Sequence, residues 1–443
     1  MISRGALKEI ILSNKAFILD SVLRIVRRPE ADVVTPGKTV ILYGIRRSGK
    51  TFILYDIFRR NAESALYLDF EDDRLTGFTA EDFPTAQEVF REIRPNPADG
   101  QVVYLFDEIQ HVEGWERFCR RITERENAAV YVTGSSSKLM PLEVDTAIRG
   151  RAWSVAVYPF SFREYLEARG LDPASPETLY GKAMGEAKRL FSEYAQWGGF
   201  PEAALAAGPL DRTKLLKEYL RAMFFRDLVE RYNMTNIALF DALADKLFSS
   251  FSTRLSLTAF YKQYKDLFPF SKDLLFQYFR NFEDSLLVFA VRKFSESSYA
   301  RSRNPMKLYL ADTGLCRRVT SQDAGRTLEN VVFLELLRRG YSIHYFAEDR
   351  ECDFVVKDSQ GGVFPVQVSF ELTDENRPRE TDGLLAACRR VGAAEGLILT
   401  DGQEWDETVD GIGIHVRPAW RWLLEKSGAD ATDATNPMTQ QTQ

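Results

Sequence analysis

Eight residues early in the chain, Gly44-Ile45-Arg46-Arg47-Ser48-Gly49-Lys50-Thr51, carry the spacing GxxxxGK[ST]. Glycines at those positions let backbone N–H groups turn inward to cradle a phosphate, and a helix opening at the loop adds positive potential. Lys50 can reach the β- and γ-phosphates of a nucleotide, and the Thr51 hydroxyl can ligate Mg²⁺. An apolar run, TVILYG, precedes the loop, and a helical segment, TFILYDIFRR, follows it. Strand, loop and helix in that order are the context the motif requires. The stretch from Gly44 through Phe52 is therefore a candidate ATP-binding segment.

Three further groups could act on the same ligand. The apolar run VVYLF ends in Asp107-Glu108. A buried strand delivers Asp107 to its tip, where it can join Thr51 in holding Mg²⁺, and Glu108 can polarise an attacking water as general base. A second run, AVYVTGSS, ends in Thr133, Gly134, Ser135 and Ser136. Hydroxyls there could bond a γ-phosphate or the water, although the segment alone fits a Ser/Gly turn equally well. Arg149-Gly150-Arg151 follows a predicted helix. Two such arginines suit phosphate charge, and alone they also fit a solvated surface.

These residues need a sheet to bring them together. Apolar runs of strand length fall at 39–44, 65–70, 102–106, 129–134 and 154–160, with helical stretches between them. Continuous apolar strands alternating with helices indicate a parallel sheet covered on both faces. The first forty residues read as a short helix and a connector turned by Pro29 and Pro36. From Ser161 to about Phe294 the pattern is almost wholly helical. Within it, SLTAFYKQYK, PFSKDLLFQYFRNFEDSLLVFAVRKF and KLYLADTGL give helix, helix, strand, strand, the order of a winged helix-turn-helix. A second α/β block starts near Thr327. The polar end, KSGADATDATNPMTQQTQ, reads as a disordered tail.

The whole chain bounds the rest. Its 443 residues exceed the ~100–150 of a common domain, so two or three domains are expected. With 58 Lys+Arg against 64 Asp+Glu the net charge is −6, which excludes a polybasic protein that coats DNA. Cys119, Cys316, Cys352 and Cys388 show no CxxC spacing, and only three histidines accompany them, so no zinc site is expected. No apolar run approaches the ~18–20 residues of a membrane span, and Lys8, Glu9, Asn14 and Lys15 interrupt the N-terminal apolar stretch. A cytoplasmic protein with no membrane partner is expected.

In this order the elements resemble the AAA+ ATPases. They are more closely similar to a widespread group of prokaryotic AAA+ ATPases whose C-terminal half is a domain of unknown function. The matching segments are GIRRSGKT, LYLDFEDDRL, YLFDEIQHVEGWERF, VTGSSSKLM, RGR, YPFSFREYL, GGFPEA, YLADTGL, LENVVFLELLRRG and CDFVV…VQVSF, which together span about residues 20–422. The resemblance implies an N-terminal helical segment (1–37), a P-loop AAA+ core with a five-stranded parallel sheet (38–165) and a helical lid (166–235). It further implies a winged-helix-like domain (236–322), a restriction-endonuclease-like α/β domain (323–422) and a tail (423–443). Asp107 and Glu108 match the Walker B acids, Ser135 lies near sensor 1, and Arg149 and Arg151 match the arginine finger, which implies self-association. The lid arginine has no clear match, with Arg226 as a candidate.

Restriction-like nucleases hold Mg²⁺ with an Asp and then a Glu-x-Lys on the next strand. Here Glu329 and Asp353 remain, but the Glu-x-Lys reads Gln367-Val368-Ser369. Sliding to Glu371 does not help, because Thr373 then stands where the lysine belongs. The block therefore reads as a fold without its catalysis, used for packing or partner recognition. The expectation is a Mg²⁺-dependent ATP-binding protein and ATPase acting on a partner. The competing class is a slowly hydrolysing ATP switch that recruits DNA or a protein through its winged-helix and C-terminal parts.

Overall fold

The computed structural model describes residues 1–22, 24–94, 101–134, 150–295, 304–318 and 323–425. The chain forms two compact units. One comprises Met1–Pro159, Arg221–Tyr232 and Asp284–Leu286; the other comprises Phe160–Leu220, Asn233–Glu283 and Leu287–Gln443.

The first unit is built on five parallel strands, β1 (Thr39–Tyr43), β2 (Ala65–Asp69), β3 (Val103–Asp107), β4 (Ala129–Gly134) and β5 (Ala152–Ala156), in the order β2-β3-β4-β1-β5. Side chains along a strand alternate between faces, so each strand feeds two cores. On one face Val40, Leu42, Leu105 and Tyr131 pack with Ile53, Leu54, Ile57 and Phe58 of the helix Lys50–Arg60. On the other, Ile41, Leu68, Phe106 and Val132 pack with the helices Arg4–Ala16, Phe83–Ile93 and Trp115–Arg125. Each of these apolar side chains contributes about 1.5–3 kcal/mol on burial. Helices on both faces leave the C-terminal strand ends open, and there the loop after β1 and the acids after β3 meet. The fifth strand ends at Ala156, four residues short of the expected 160. Val157 N makes the last ladder bond, to Tyr43 O at 2.7 Å, and Pro159 has no N–H to continue it.

The second unit carries a nine-stranded mixed sheet. Its strands are β6 (Thr253–Leu255), β7 (Val288–Lys293), β8 (Met306–Leu310), β9 (Ser342–Ala347), β10 (Glu351–Lys357), β11 (Val363–Val368), β12 (Glu395–Thr400), β13 (Trp405–Val409) and β14 (Ile412–Pro418). They are ordered β13-β14-β12-β11-β10-β9-β7-β8-β6. The helices Leu257–Tyr264 and Lys272–Asp284 precede β7 and β8 in the sequence order expected of a winged element. However, β7 pairs in parallel with β9, so those strands share one sheet with the C-terminal block. The boundary expected at 322/323 falls inside that sheet. The expected lid, 166–235, is likewise divided, because 221–232 belong to the first unit. All four cysteines are free and buried. Among the described residues, no helix is long and apolar enough to cross a membrane.

Candidate nucleotide site

The loop after β1 depends on a close backbone approach and two left-handed residues. A Cβ on Gly44 would lie 2.1 Å from Val157 O, so only glycine fits there. Arg47 (φ +68°) and Gly49 (φ +99°) both take left-handed conformations, which turn neighbouring N–H groups toward a common centre. The helix Lys50–Arg60 starts inside the loop with no side-chain cap, leaving its first N–H groups available to a phosphate. Lys50 is buried and donates from Nζ to Gly44 O and Ile45 O, both at 3.1 Å. Burial lowers its pKa, while Glu108 and Asp107 oppose that shift. Ile45 and Ser48 are buried, Thr51 is half-buried and Phe52 is exposed, its ring 5.5 Å from that of Tyr55. Arg28, from the N-terminal connector, braces the loop. Its buried guanidinium donates to Ser48 O and Tyr158 O, each at 2.9 Å. No motif in the sequence marks Arg28.

The acids stand at the tip of β3. Asp107 is buried, and burial together with Glu108 pushes its carboxyl up to about 6, against hydrogen bonds from Thr133 and Thr51. The Thr133 hydroxyl donates to Asp107 Oδ1, and Tyr67 donates to Oδ2 at 3.0 Å. Burial and Asp107 hold the Tyr67 phenol well above 10, so it stays a donor. Glu108 adopts a left-handed conformation (φ +48°, ψ 47°), which costs a non-glycine residue about 1–2 kcal/mol. Its N–H donates to Thr133 Oγ1 at 3.0 Å, and its carboxylate accepts from Gln110 Nε2 at 2.5 Å. One hydroxyl thus joins both acids. Expectation named Ser135 for the polar position at this strand end. Ser135 and Arg149 lie outside the described residues; Thr133, at the same strand end, contacts both acids.

Arg151 is not brought to this site. It stands at the opposite end of the sheet, where its carbonyl accepts from Thr39 N, and its half-exposed side chain pairs with Glu124 at 3.0 Å. Arg226 is exposed, whereas its neighbour Asp227 is buried against Arg46 of the loop.

In the second unit the structure brings Glu329, Asp353 and Gln367 together, and it adds a cation that the sequence reading missed. Lys307, on β8, places Nζ 2.7 Å from Asp353, 3.1 Å from Glu329 and 3.5 Å from Glu351. Tyr309 donates to Glu329 at 2.6 Å, and Val368 N donates to Asp353 at 3.0 Å. Gln367 accepts from Asp353 N and donates to Glu380, while Ser369 bonds Glu371 O. Burial and Asp353 push Glu329 up to about 8. Burial opposes the charge on Lys307, but Asp353 and Glu329 outweigh it and keep it an ammonium. Lys307 thus supplies a buried cation to the acids Glu329 and Asp353.

A glycine loop closed over its lysine, two acids at the next strand tip but one, and a parallel sheet in this order define the P-loop ATPase class. The comparisons agree, with residues 36–166 matching an AAA domain. Residues 188–326 and 324–422 match two domains of unknown function, DUF8612 and DUF4143. The uncharacterized protein MJ1544 of Methanocaldococcus jannaschii is 30% identical over 431 residues, covering 94% of this chain and 95% of that one. An uncharacterized protein of Haemophilus influenzae is 30% identical over 379 residues, covering 82% and 87%. The solved Walker-type ATPase paby2304 of Pyrococcus abyssi aligns with 70% of this chain and 96% of that chain, at TM-score 0.41 and 16% identity. The chain belongs to the family of prokaryotic AAA proteins that carry these two domains of unknown function.

Proposed function

We propose that the protein is a Mg²⁺-dependent ATPase that couples hydrolysis to a conformational change acting on a partner. The observation carrying this reading is that the loop closes over a buried Lys50, which feels the charges of Glu108 and Asp107, while Tyr67 and Thr133 hold the buried Asp107 carboxylate at the tip of β3. The oxygens of Thr51 and Asp107 suit a hard cation, and the upward shift of Asp107 marks buried negative charge short of compensation. Thr51 and Asp107 are the residues that would hold Mg²⁺, which when bound supplies charge neutralisation across the β- and γ-phosphates. Lys50 neutralises the same oxygens, exchanging its two carbonyl partners for them. Glu108 takes the proton from a water lined up behind the γ-phosphate, and Thr133 fixes the backbone from which it does so. Arg151 would serve the site of a neighbouring chain.

Lys50→Ala should abolish ATP binding, whereas Glu108→Gln should keep binding and lose at least 10²-fold in turnover. Hydrolysis at the native rate by Glu108→Gln would remove Glu108 from the role of base. A second reading, a slowly hydrolysing switch recruiting DNA or a protein, draws support from the Gln110 amide, which occupies the Glu108 carboxylate. Turnover per minute with and without candidate partners separates the two.

A further inference from the structure

Arg46 lies within the loop, yet its side chain is committed to neither the loop nor solvent. Its guanidinium meets Asp227 through two bonds, Nε to Oδ2 at 3.4 Å and Nη2 to Oδ1 at 3.3 Å, and Nη1 lies 3.7 Å from Glu71. Asp227 is buried on the irregular helix Met223–Glu230, far along the chain but within the same compact unit. Arg46 also feels the charge of Glu108, and Lys50 feels that of Arg46, so the guanidinium acts electrostatically on both the lysine and the base of the loop. A guanidinium fork fits a carboxylate and a phosphate with the same paired geometry. Asp227 therefore holds Arg46 as a phosphate would.

We propose that Arg46 is the residue by which this chain distinguishes ATP from ADP. The γ-phosphate draws the guanidinium from Asp227 and Glu71 onto its own oxygens, and ADP, lacking that group, leaves the pair intact. This makes Arg46 a catalytic residue supplied in cis and Asp227 its competitor. It also gives the segment 223–230 a tie to the loop that ATP releases. The inference rests on the ATPase reading and assigns the nucleotide selectivity of that site.

The test is calorimetric binding of ATP and ADP, each with Mg²⁺, to the full chain. Arg46→Met should weaken ATP at least tenfold while moving ADP less than threefold. Arg46→Lys should not restore ATP affinity, because an ammonium cannot make the fork. Asp227→Asn should tighten ATP several-fold with ADP unchanged. The double variant, which leaves no buried charge unpaired, should repeat the loss of discrimination seen in Arg46→Met and so separates it from misfolding. Equal changes in ATP and ADP for Arg46→Met and the double variant would overturn the proposal, even with Lys50-dependent binding intact. A wild-type chain that binds neither nucleotide, or binds them independently of Lys50, would overturn the ATPase reading and this proposal with it.

Discussion

Thr133 performs two tasks with one hydroxyl, donating to Asp107 and accepting from the N–H of Glu108. Thr133→Val keeps the shape and removes both bonds, leaving two buried polar groups short of partners at about 1–3 kcal/mol each. Turnover should fall at least tenfold, while ATP affinity stays within about threefold in a parallel titration. Undiminished turnover would show that the left-handed backbone of Glu108 holds without it. Asp107 adds a pH dependence. Its carboxyl, raised to about 6 by burial and Glu108, is protonated below that pH and then cannot hold Mg²⁺. ATP affinity in Mg²⁺ should therefore decline as pH falls from 7 to 5, and Asp107→Asn should flatten the profile. The loop from Gly44 to Thr51 is legible because every part lies within eight neighbouring positions. Placing Thr133 beside Asp107 requires the register Phe106↔Val132, which is a property of the paired strands.

At the scale of elements, the legibility differs between the units. The hairpin of β13 and β14 carries its signal openly, with alternating burial on β14 and Asp410-Gly411 at its turn, both with positive φ (+51° and +78°). That dipeptide between alternating runs marks the turn in the sequence itself. Lys307 was not readable, because it reaches Glu329 and Asp353 only through the order in which β8 and β10 join one sheet. The lysine sought after Gln367 thus has a counterpart on another strand, but one only 4% exposed and bonded to both acids. The full chain with Mg²⁺ or Mn²⁺ should leave plasmid DNA uncut, and nicking that disappears in Asp353→Ala would refute this. Lys307→Met strands a buried carboxylate and should cost about 3–5 kcal/mol, read as a lower urea midpoint. A midpoint unchanged from the wild type would mean that the cluster contributes little to stability.

At the scale of the molecule, the sheet separates the loop from the arginine expected to serve it. β1 and β5 run parallel in register, Thr39↔Ala152 to Tyr43↔Ala156, so Arg151 stands at the end where β1 begins and the loop where it finishes. Five residues at about 3.3 Å each put them roughly 16 Å apart, beyond the reach of an arginine side chain. An Arg151 that served ATP would therefore have to serve that of another chain, whereas the role proposed for Arg46 is on its own. The two arginines predict different signatures. Changes at Arg46 should alter the ATP-to-ADP affinity ratio at every protein concentration. Changes at Arg151 should leave that ratio alone and remove a rise in turnover per chain as concentration increases, a charge contribution worth roughly 10³–10⁵ in GTPases that use an arginine this way. Mixing Lys50→Ala chains, which cannot bind ATP, with Arg151→Ala chains, which cannot assist a neighbour, should restore hydrolysis wherever an intact Arg151 meets an intact loop. If the mixture stays inactive and the wild-type rate per chain is independent of concentration, Arg151 is a partner of Glu124 and Arg46 supplies the charge alone.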